Sequence, residues 1–294
     1  MPLNAGNLEN KGYEIVLNVV PVKTKDITWA LNINGARNIN KVTKSGITTD
    51  YGYKEYLDGS AVIPGEALNT FYSYKYDRLD ANGLPTFKDI EETDGITQTE
   101  MFAKVFVYSG TLIPDITVGF GTDISYKNLD IGGFFSYSLG TKIRLNNLYN
   151  DSGQRLPQPQ QNMNQAFVNR WKQPGDENRT DIPVLTTDPL DMYGLGIDRK
   201  IKIADNGWEM YNKSDLRVAS GNYLRLKNLY VRYNFSDRIC HKIRAQMISV
   251  RFEATNLWLL ADKKLKGQDP EQVTLGGVST PPTSSYTLGL DITF

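Results

Sequence analysis

The closing stretch Ser285-Tyr286-Thr287-Leu288-Gly289-Leu290-Asp291-Ile292-Thr293-Phe294 decides the fold class. Side chains of a strand alternate between its two faces. Tyr286, Leu288, Leu290, Ile292 and Phe294 therefore share one face, and Thr287, Gly289, Asp291 and Thr293 the other. One face is apolar and the other small and polar. That suits a strand with lipid on one side and a watery lumen on the other. An amphipathic strand of a soluble sheet carries the same alternation.

The same period of two recurs through the chain. Ile27, Trp29, Leu31 and Ile33 alternate with Thr28, Ala30, Asn32 and Asn34. Ile116, Val118, Phe120 and Ile124 alternate with Thr117, Gly119, Gly121 and Asp123. From Leu129 to Leu145 an apolar set alternates with Asp130, Gly132, Ser136, Ser138, Lys142 and Arg144. Ile248, Val250, Phe252 and Ala254 oppose Ser249, Arg251, Glu253 and Thr255. In 222–235 the phase slips, from Leu224 and Leu226 to Leu229, Val231 and Tyr233, which predicts a β-bulge near Lys227-Asn228. Seven strands are expected at about 13–23, 26–40, 115–126, 128–146, 220–236, 245–260 and 284–294. A tilted membrane strand needs roughly 9–11 residues, and these reach that length.

The connections alternate short and long. Thr24-Lys25, Lys127 and Asp237–Arg244 are short, whereas 41–114, 147–219 and 261–283 are long. Compact soluble domains seldom hold structureless loops beyond about 12–15 residues. Barrels of outer membranes have short turns at one end and long loops at the other. The fold expected is all-β: an antiparallel transmembrane β-barrel segment with long extracellular loops. Within the first of these loops, Asn82-Gly83 between Phe71–Tyr76 and Leu84–Phe87 reads as a hairpin.

Composition narrows the function classes. Lys+Arg and Asp+Glu are 33 each, so no global field points to nucleic acid. Tyr, at 17 residues, is the leading aromatic and suits surfaces with one wet and one dry side. No apolar run is long enough for a transmembrane helix. Cys240 is the single cysteine and His241 the single histidine, too few for a Cys/His zinc site. No catalytic constellation stands out, and no cofactor is implied. Asp77, Asp80, Asp89 and Asp94, and the cluster Glu91, Glu92 and Asp94, read as solvated loop residues. Gly132-Gly133 and Gly276-Gly277 read as strand and loop glycines, with no phosphate cradle. The first residues, Met-Pro-Leu-Asn-Ala-Gly-Asn, do not read as a signal peptide, so a longer exported precursor is expected.

Several motifs stand in a definite order: Asn10-Lys11-Gly12-Tyr13-Glu14, Arg170-Trp171 with Pro174-Gly175-Asp176, and Ser214-Asp215-Leu216-Arg217. Gly221-Asn222-Tyr223-Leu224-Arg225-Leu226-Lys227-Asn228-Leu229, Asn256-Leu257, Gly267-Gln268-Asp269-Pro270-Glu271 and Phe294 follow. In this order the chain resembles the C-terminal part of the SusC/RagA family of TonB-linked outer membrane proteins, nutrient importers typical of Bacteroidetes. The resemblance implies a barrel of about 22 strands, with residues 1–294 supplying the last seven and lacking plug, N-terminal extension and signal peptide. It implies import of glycan or peptide fragments through the cell outer membrane, powered through the TonB complex via the missing N-terminal regions. A SusD-like surface lipoprotein is the implied lid. A seven-strand sheet by itself leaves two edges unpaired, so residues 1–294 alone are expected to give no pore in a vesicle-swelling assay.

Candidate residues follow from this frame. Lys142, Arg144, Arg225, Arg251 and Glu253 are expected on the lumen wall, paired with one another or touching solute. Tyr72, Tyr74, Tyr76, Trp171 and Trp208 fall in outer loops, as substrate or partner contacts or as loop packing. Trp29 and Trp258 are expected in an interfacial girdle, and Tyr286 and Phe294 as the barrel-assembly signal. Two rivals remain: a soluble β-rich carbohydrate-binding protein, and a passive porin-type channel.

Overall fold

The computed structural model describes residues 6–45, 51–89, 98–149, 157, 160, 162–185, 206–272 and 280–294. Its strands are β1 (Asn7–Lys23), β2 (Ile27–Lys44), β3 (Thr70–Tyr74), β4 (Tyr76–Leu79) and β5 (Pro85–Phe87). Then come β6 (Phe106–Thr111), β7 (Ile116–Tyr126), β8 (Leu129–Leu139) and β9 (Lys142–Arg144). The last four are β10 (Val218–Ser220), β11 (Tyr223–Asn234), β12 (Met247–Ala261) and β13 (Ser285–Thr293).

Seven strands form one antiparallel sheet in the order β1-β2-β7-β8-β11-β12-β13. Each wall strand pairs with the next wall strand in the chain, so the sheet is a meander, open at β1 and β13. All seven expected strands are present, and every short connection lies at the same end. Tight turning there has local causes. The Ile27 amide donates to Thr24 Oγ1 at 3.0 Å, and the Thr24 amide to the Ile27 carbonyl at 2.7 Å. Lys127 closes the β7–β8 turn at φ 56.

The expected bulge is also present. Leu226 pairs with Phe135 but Asn228 with Phe134, so Lys227 is an extra residue of β11. The slip returns Leu229, Val231 and Tyr233 to the apolar face. Against β12, Leu226 faces Trp258 and Asn228 faces Thr255, and Asn256 takes a left-handed φ of 52 between them.

Two expectations need correction. The first pair of strands is longer than the apolar alternation suggests. β1 spans 17 residues and β2 18, about 55 Å at the usual rise per residue, so this hairpin extends well past a bilayer core. Conversely, the strand expected over 128–146 stops at Leu139. Gly140 turns at φ 93 with its α-carbon against Asp115, where a Cβ would sit 2.5 Å from Asp115 Oδ2. The chain then enters β9, which pairs with β10 rather than with the wall. Ile143 is buried there, not on the outer face.

The described parts of the long connections build a second layer over one end of the sheet. β3 pairs with β6, and β4 with β5 across the Asp80–Gly83 turn, as Asn82-Gly83 suggests. Phe71–Tyr74, however, take β6 as partner rather than the 84–87 stretch. Helices Tyr53–Asp58, Gln98–Val105 and Gly207–Asn212 complete this roof. It has its own core, including Leu57, Tyr74, Phe87, Met101, Phe106, Leu148, Phe167, Trp208 and Tyr211. Residues from two excursions therefore fold together, and each fully buried large side chain adds about 1.5–3 kcal/mol. Asp80 serves its own turn: Oδ1 accepts the Asn82 and Leu84 amides, each at 2.8 Å. Glu91, Glu92, Asp94, Gly276 and Gly277 lie outside the described residues.

Candidate functional site: a polar wall, a strap and a roof

The two faces of the sheet differ as the alternation requires. On the apolar face, Ile15, Leu288, Leu290 and Tyr286 are 60%, 76%, 62% and 66% exposed, with no second sheet of the described residues over them. Phe294 shares this exposure, and Tyr286 stacks near Phe252 at 6.3 Å between ring centroids. Trp258 is exposed, and Trp29 donates from Nε1 to Thr122 Oγ1 at 3.0 Å. A hollow of about 890 Å³ on this side is lined by Val118, Phe120, Phe135, Tyr137, Leu224 and Leu260, with polar residues at its rim.

The polar face carries a belt of hydrogen bonds running across the strands. Tyr230 Oη donates to Asp123 Oδ1 at 2.7 Å, reaching over β8. Gly132 makes this possible: it pairs with both Asp123 and Tyr230, and a Cβ there would lie 2.4 Å from each side chain. Asn32 Nδ2 approaches the other Asp123 oxygen at 3.4 Å. The Arg251 guanidinium sits 5.4 Å from the Tyr230 ring centre and forms a 2.7 Å ion pair with Glu253. Asn228 donates from Nδ2 to Glu253. Arg251 and Glu253 thus meet on the polar face and pair with each other.

Arg225 has a different partner from any on the wall. Its Nη2 lies 2.6 Å from both Asp269 oxygens, and the two side chains are 4% and 1% exposed. Nε lies 2.9 Å from Glu271, which also accepts from Lys227 at 2.7 Å and from Tyr223 Oη at 2.6 Å. The segment 262–272 is therefore a strap fastened to β11. Burial pushes the Glu271 carboxyl up, but the Lys227 and Tyr223 hydrogen bonds and the Arg225 and Lys227 charges outweigh it. The net result is a carboxyl below the usual range. Asp262 opens the strap and also lies below that range, because the Lys264 and Ser220 amides donate to it, each at 2.9 Å. Gln268 Oε1 accepts the Asn146 amide at 3.1 Å and joins strap to roof.

Arg144 points into the roof, which corrects its expected place on the wall. With the strand broken at Gly140, its guanidinium donates to the carbonyls of Leu57 at 2.8 Å and Tyr72 at 2.6 Å, and to Ser73 Oγ at 3.0 Å. Lys142 is exposed on β9, off the wall sheet, and crosses Gly110. Of the five loop aromatics, Tyr74, Trp171 and Trp208 are buried and pack within the roof, so their rings are not offered to solute. Trp171 donates from Nε1 to Glu177 at 3.0 Å, and Trp208 to the Val184 carbonyl at 3.1 Å. Tyr72 and Tyr76 are half-buried at the edge of the same core. Burial raises the Tyr72 hydroxyl to about 12 and the Tyr211 hydroxyl to about 12, so both stay protonated.

Between roof and strap lies a cleft of about 650 Å³. Arg217, Lys264 and Lys266 line it together with the amides of Asn146, Gln165 and Gln268. Sequence reading assigned no role to Asp123, Tyr230, Asp269, Glu271 or Arg217. The ordered motif 267–271 carried a signal for the strap. The reach of Tyr230 over Gly132 had none without the register. Among the described residues no group of His, Cys, Asp and Glu could hold a metal ion, and the belt, strap and cleft are built for hydrogen bonding and ion pairing.

No protein-family model matches the chain. Curated relatives do. TonB-dependent receptor P3 of Formosa agariphila is 28% identical over 99% of this chain and 29% of its own length. TonB-dependent receptor P26 of the same organism is 27% identical over 99% and 30%. TonB-dependent receptor SusC of Bacteroides thetaiotaomicron is 26% identical over 100% and 27%. The chain thus spans about three tenths of the length of the curated relatives it matches. Among solved structures, the RagAB peptide transporter superposes at a TM-score of 0.71 with 23% identity, covering 99% of this chain and 30% of that one. The RagAB peptide importer in its closed-closed state gives 0.70 at 22% identity, with the same coverage. By sequence the homologues of this chain are TonB-dependent receptors, and its fold is that of the matching part of the RagAB structures.

Proposed function

We propose that residues 1–294 are the C-terminal barrel wall and extracellular roof of an outer-membrane importer for glycan or peptide fragments. The plug and the segment that engages TonB belong to the part of the relatives this chain does not span. A SusD-like lipoprotein over the roof is the proposed partner. No covalent chemistry is involved; the work is binding and release, gated by the roof and strap.

One observation carries this reading. A seven-strand meander presents a broad exposed apolar face, a hydrogen-bonded polar face and every long connection at one end. A soluble sandwich would need a second layer over Leu288 and Leu290, whereas lipid meets that need at about 1.5–3 kcal/mol per large side chain. The half-buried Arg251–Glu253 pair and the buried Arg225–Asp269 pair suit a lumen whose charges are satisfied internally. The cleft between roof and strap, rich in amides and cations, is the proposed place of solute contact.

The test is fractionation of the source cells with antibody to this segment, followed by uptake assays in a gene deletion. An outer-membrane band far larger than 33.1 kDa, with loss of growth on one class of oligomer after deletion, supports the proposal. A soluble band of 33.1 kDa overturns it and favours the soluble binding protein.

A further inference from the structure

The three short connections lie at one end of the sheet, and that end is basic. It carries Lys23, Lys25, Lys127, Arg238, Lys242 and Arg244, against Asp26 and Asp237. The whole chain is neutral, so the excess is local. All eight side chains are exposed.

The β11–β12 connection is more than a turn. Asp237–Lys242 is a short helix whose one buried residue is Cys240. Cys240 packs with Ala245, Ile248 and Phe235, and its Sγ lies 3.7 Å from the Phe235 carbonyl. Ile248 belongs to the apolar face of β12, and Phe235 continues the apolar parity of β11. The helix is therefore docked on the apolar side of the wall, not beneath the lumen. Ile239 and Ile243, one turn apart, are 44% and 51% exposed. Arg238, Lys242 and Arg244 stand around them and form no ion pair among the described residues. Tyr233 and Phe235 meet edge to face beside the helix at 5.2 Å. Along the same rim the Lys127 ammonium lies 5.3 Å from the centre of the exposed Tyr126 ring.

Apolar side chains ringed by exposed cations, next to amphipathic aromatics, match the boundary between acyl chains and headgroups. We infer that Asp237–Arg244 is an interfacial anchor that binds anionic phospholipid headgroups. Ile239 and Ile243 enter the acyl boundary, and Arg238, Lys242 and Arg244 hold the phosphates. Binding there would stiffen the β11–β12 hairpin and fix the depth of the wall. This inference rests on the wall spanning a membrane, and the experiment separates the two claims.

The full-length protein that contains this chain is purified in mild detergent. It is titrated with phosphatidylglycerol and, separately, with phosphatidylcholine, and bound lipid is counted by native mass spectrometry. The wild type should prefer phosphatidylglycerol. Each cation near an anionic surface is worth about fivefold in affinity, so the triple variant Arg238→Gln, Lys242→Gln, Arg244→Gln should lose up to roughly a hundredfold for phosphatidylglycerol. Its affinity for phosphatidylcholine, whose choline offsets the phosphate charge, should fall far less. Ile239→Ser with Ile243→Ser should weaken both lipids. All five side chains are exposed, so heat-modifiable migration of the variants should match wild type and report intact folding. A triple variant that keeps the wild-type preference overturns the anchor while leaving the wall in place. So does one that loses a co-purifying protein but keeps the lipid. Wild-type protein that partitions to the soluble fraction and retains neither lipid overturns the wall itself.

Discussion

The strap offers the sharpest test of how this segment is held together. Asp269→Asn removes the charge facing Arg225 with almost no change of volume. A surface ion pair would be worth about 0–1 kcal/mol. This pair is different, because the two side chains are 4% and 1% exposed and meet at 2.6 Å. Removing one partner of a buried pair costs about 3–5 kcal/mol, mostly because the other charge is left uncompensated. Here Glu271 remains 2.9 Å from Arg225 Nε but is shared with Lys227. The expected cost of Asp269→Asn is therefore lower, about 2–3 kcal/mol, and the full 3–5 appears when Glu271→Gln is added. The strap carries its own reporter in Lys263, Lys264 and Lys266. In outer-membrane vesicles holding the full-length protein, trypsin cleavage there should follow the open population of the strap. At tenfold per 1.4 kcal/mol, cleavage should rise roughly thirty- to hundredfold. Replacing both partners, Arg225→Met with Asp269→Leu, should bring the rate back toward wild type, since no charge is stranded. Cleavage of Asp269→Asn at the wild-type rate, or of the Met/Leu pair as fast as Asp269→Asn, would refute the reasoning.

Other outcomes follow from the wall, the roof and the strap. Leu290→Arg should cost about 2–4 kcal/mol if it faces the bilayer interior, whereas Asp291→Arg should be far milder; surface abundance of the full-length protein compares them. Gly132→Ala should push Asp123 and Tyr230 apart and cost about 1–3 kcal/mol, read as a lower temperature for loss of heat-modifiable migration. Trp208→Ala should cost the roof about 3–5 kcal/mol, exposing roof segments to external protease while insertion of the wall is unchanged. Asp262 and Glu271 both lie below their ordinary values. Their contribution is therefore present above the unfolded carboxylate range of about 4 and lost as pH falls through the lower folded values. Hydrogen-exchange protection of the Ser220 and Lys264 amides should hold at pH 6 and decline below about pH 4; loss already at pH 6 would contradict this.

The wall was legible because its signal is local. Period-two alternation needs only neighbours, and a phase slip such as Leu226 to Leu229 marks a bulge without any partner in view. The break at Gly140 was not legible. Thr141, Ile143 and Leu145 keep the parity of Leu139, so the pattern continues although the backbone turns away at φ 93. Arg144 was misplaced for that reason alone. The roof was illegible for the opposite reason: Leu57, Phe106, Phe167 and Trp208 are scattered over two excursions, and only packing makes them one core. Long-range pairs such as Arg225 with Asp269, 44 residues apart, leave no periodic trace. Their trace was the ordered motif 267–271, which named the segment but not its partner.

The central claim is that one face of the sheet meets lipid and the other water. Single cysteines placed in turn from Tyr286 to Ile292 of the full-length protein, in a Cys240→Ser background, can carry a spin label in native outer membranes. Accessibility to oxygen and to a water-soluble nickel chelate is then measured at each position. Oxygen maxima at 286, 288, 290 and 292, with nickel maxima at 287, 289 and 291, are the result expected. Nickel access at all seven positions, with no alternation, would contradict the account.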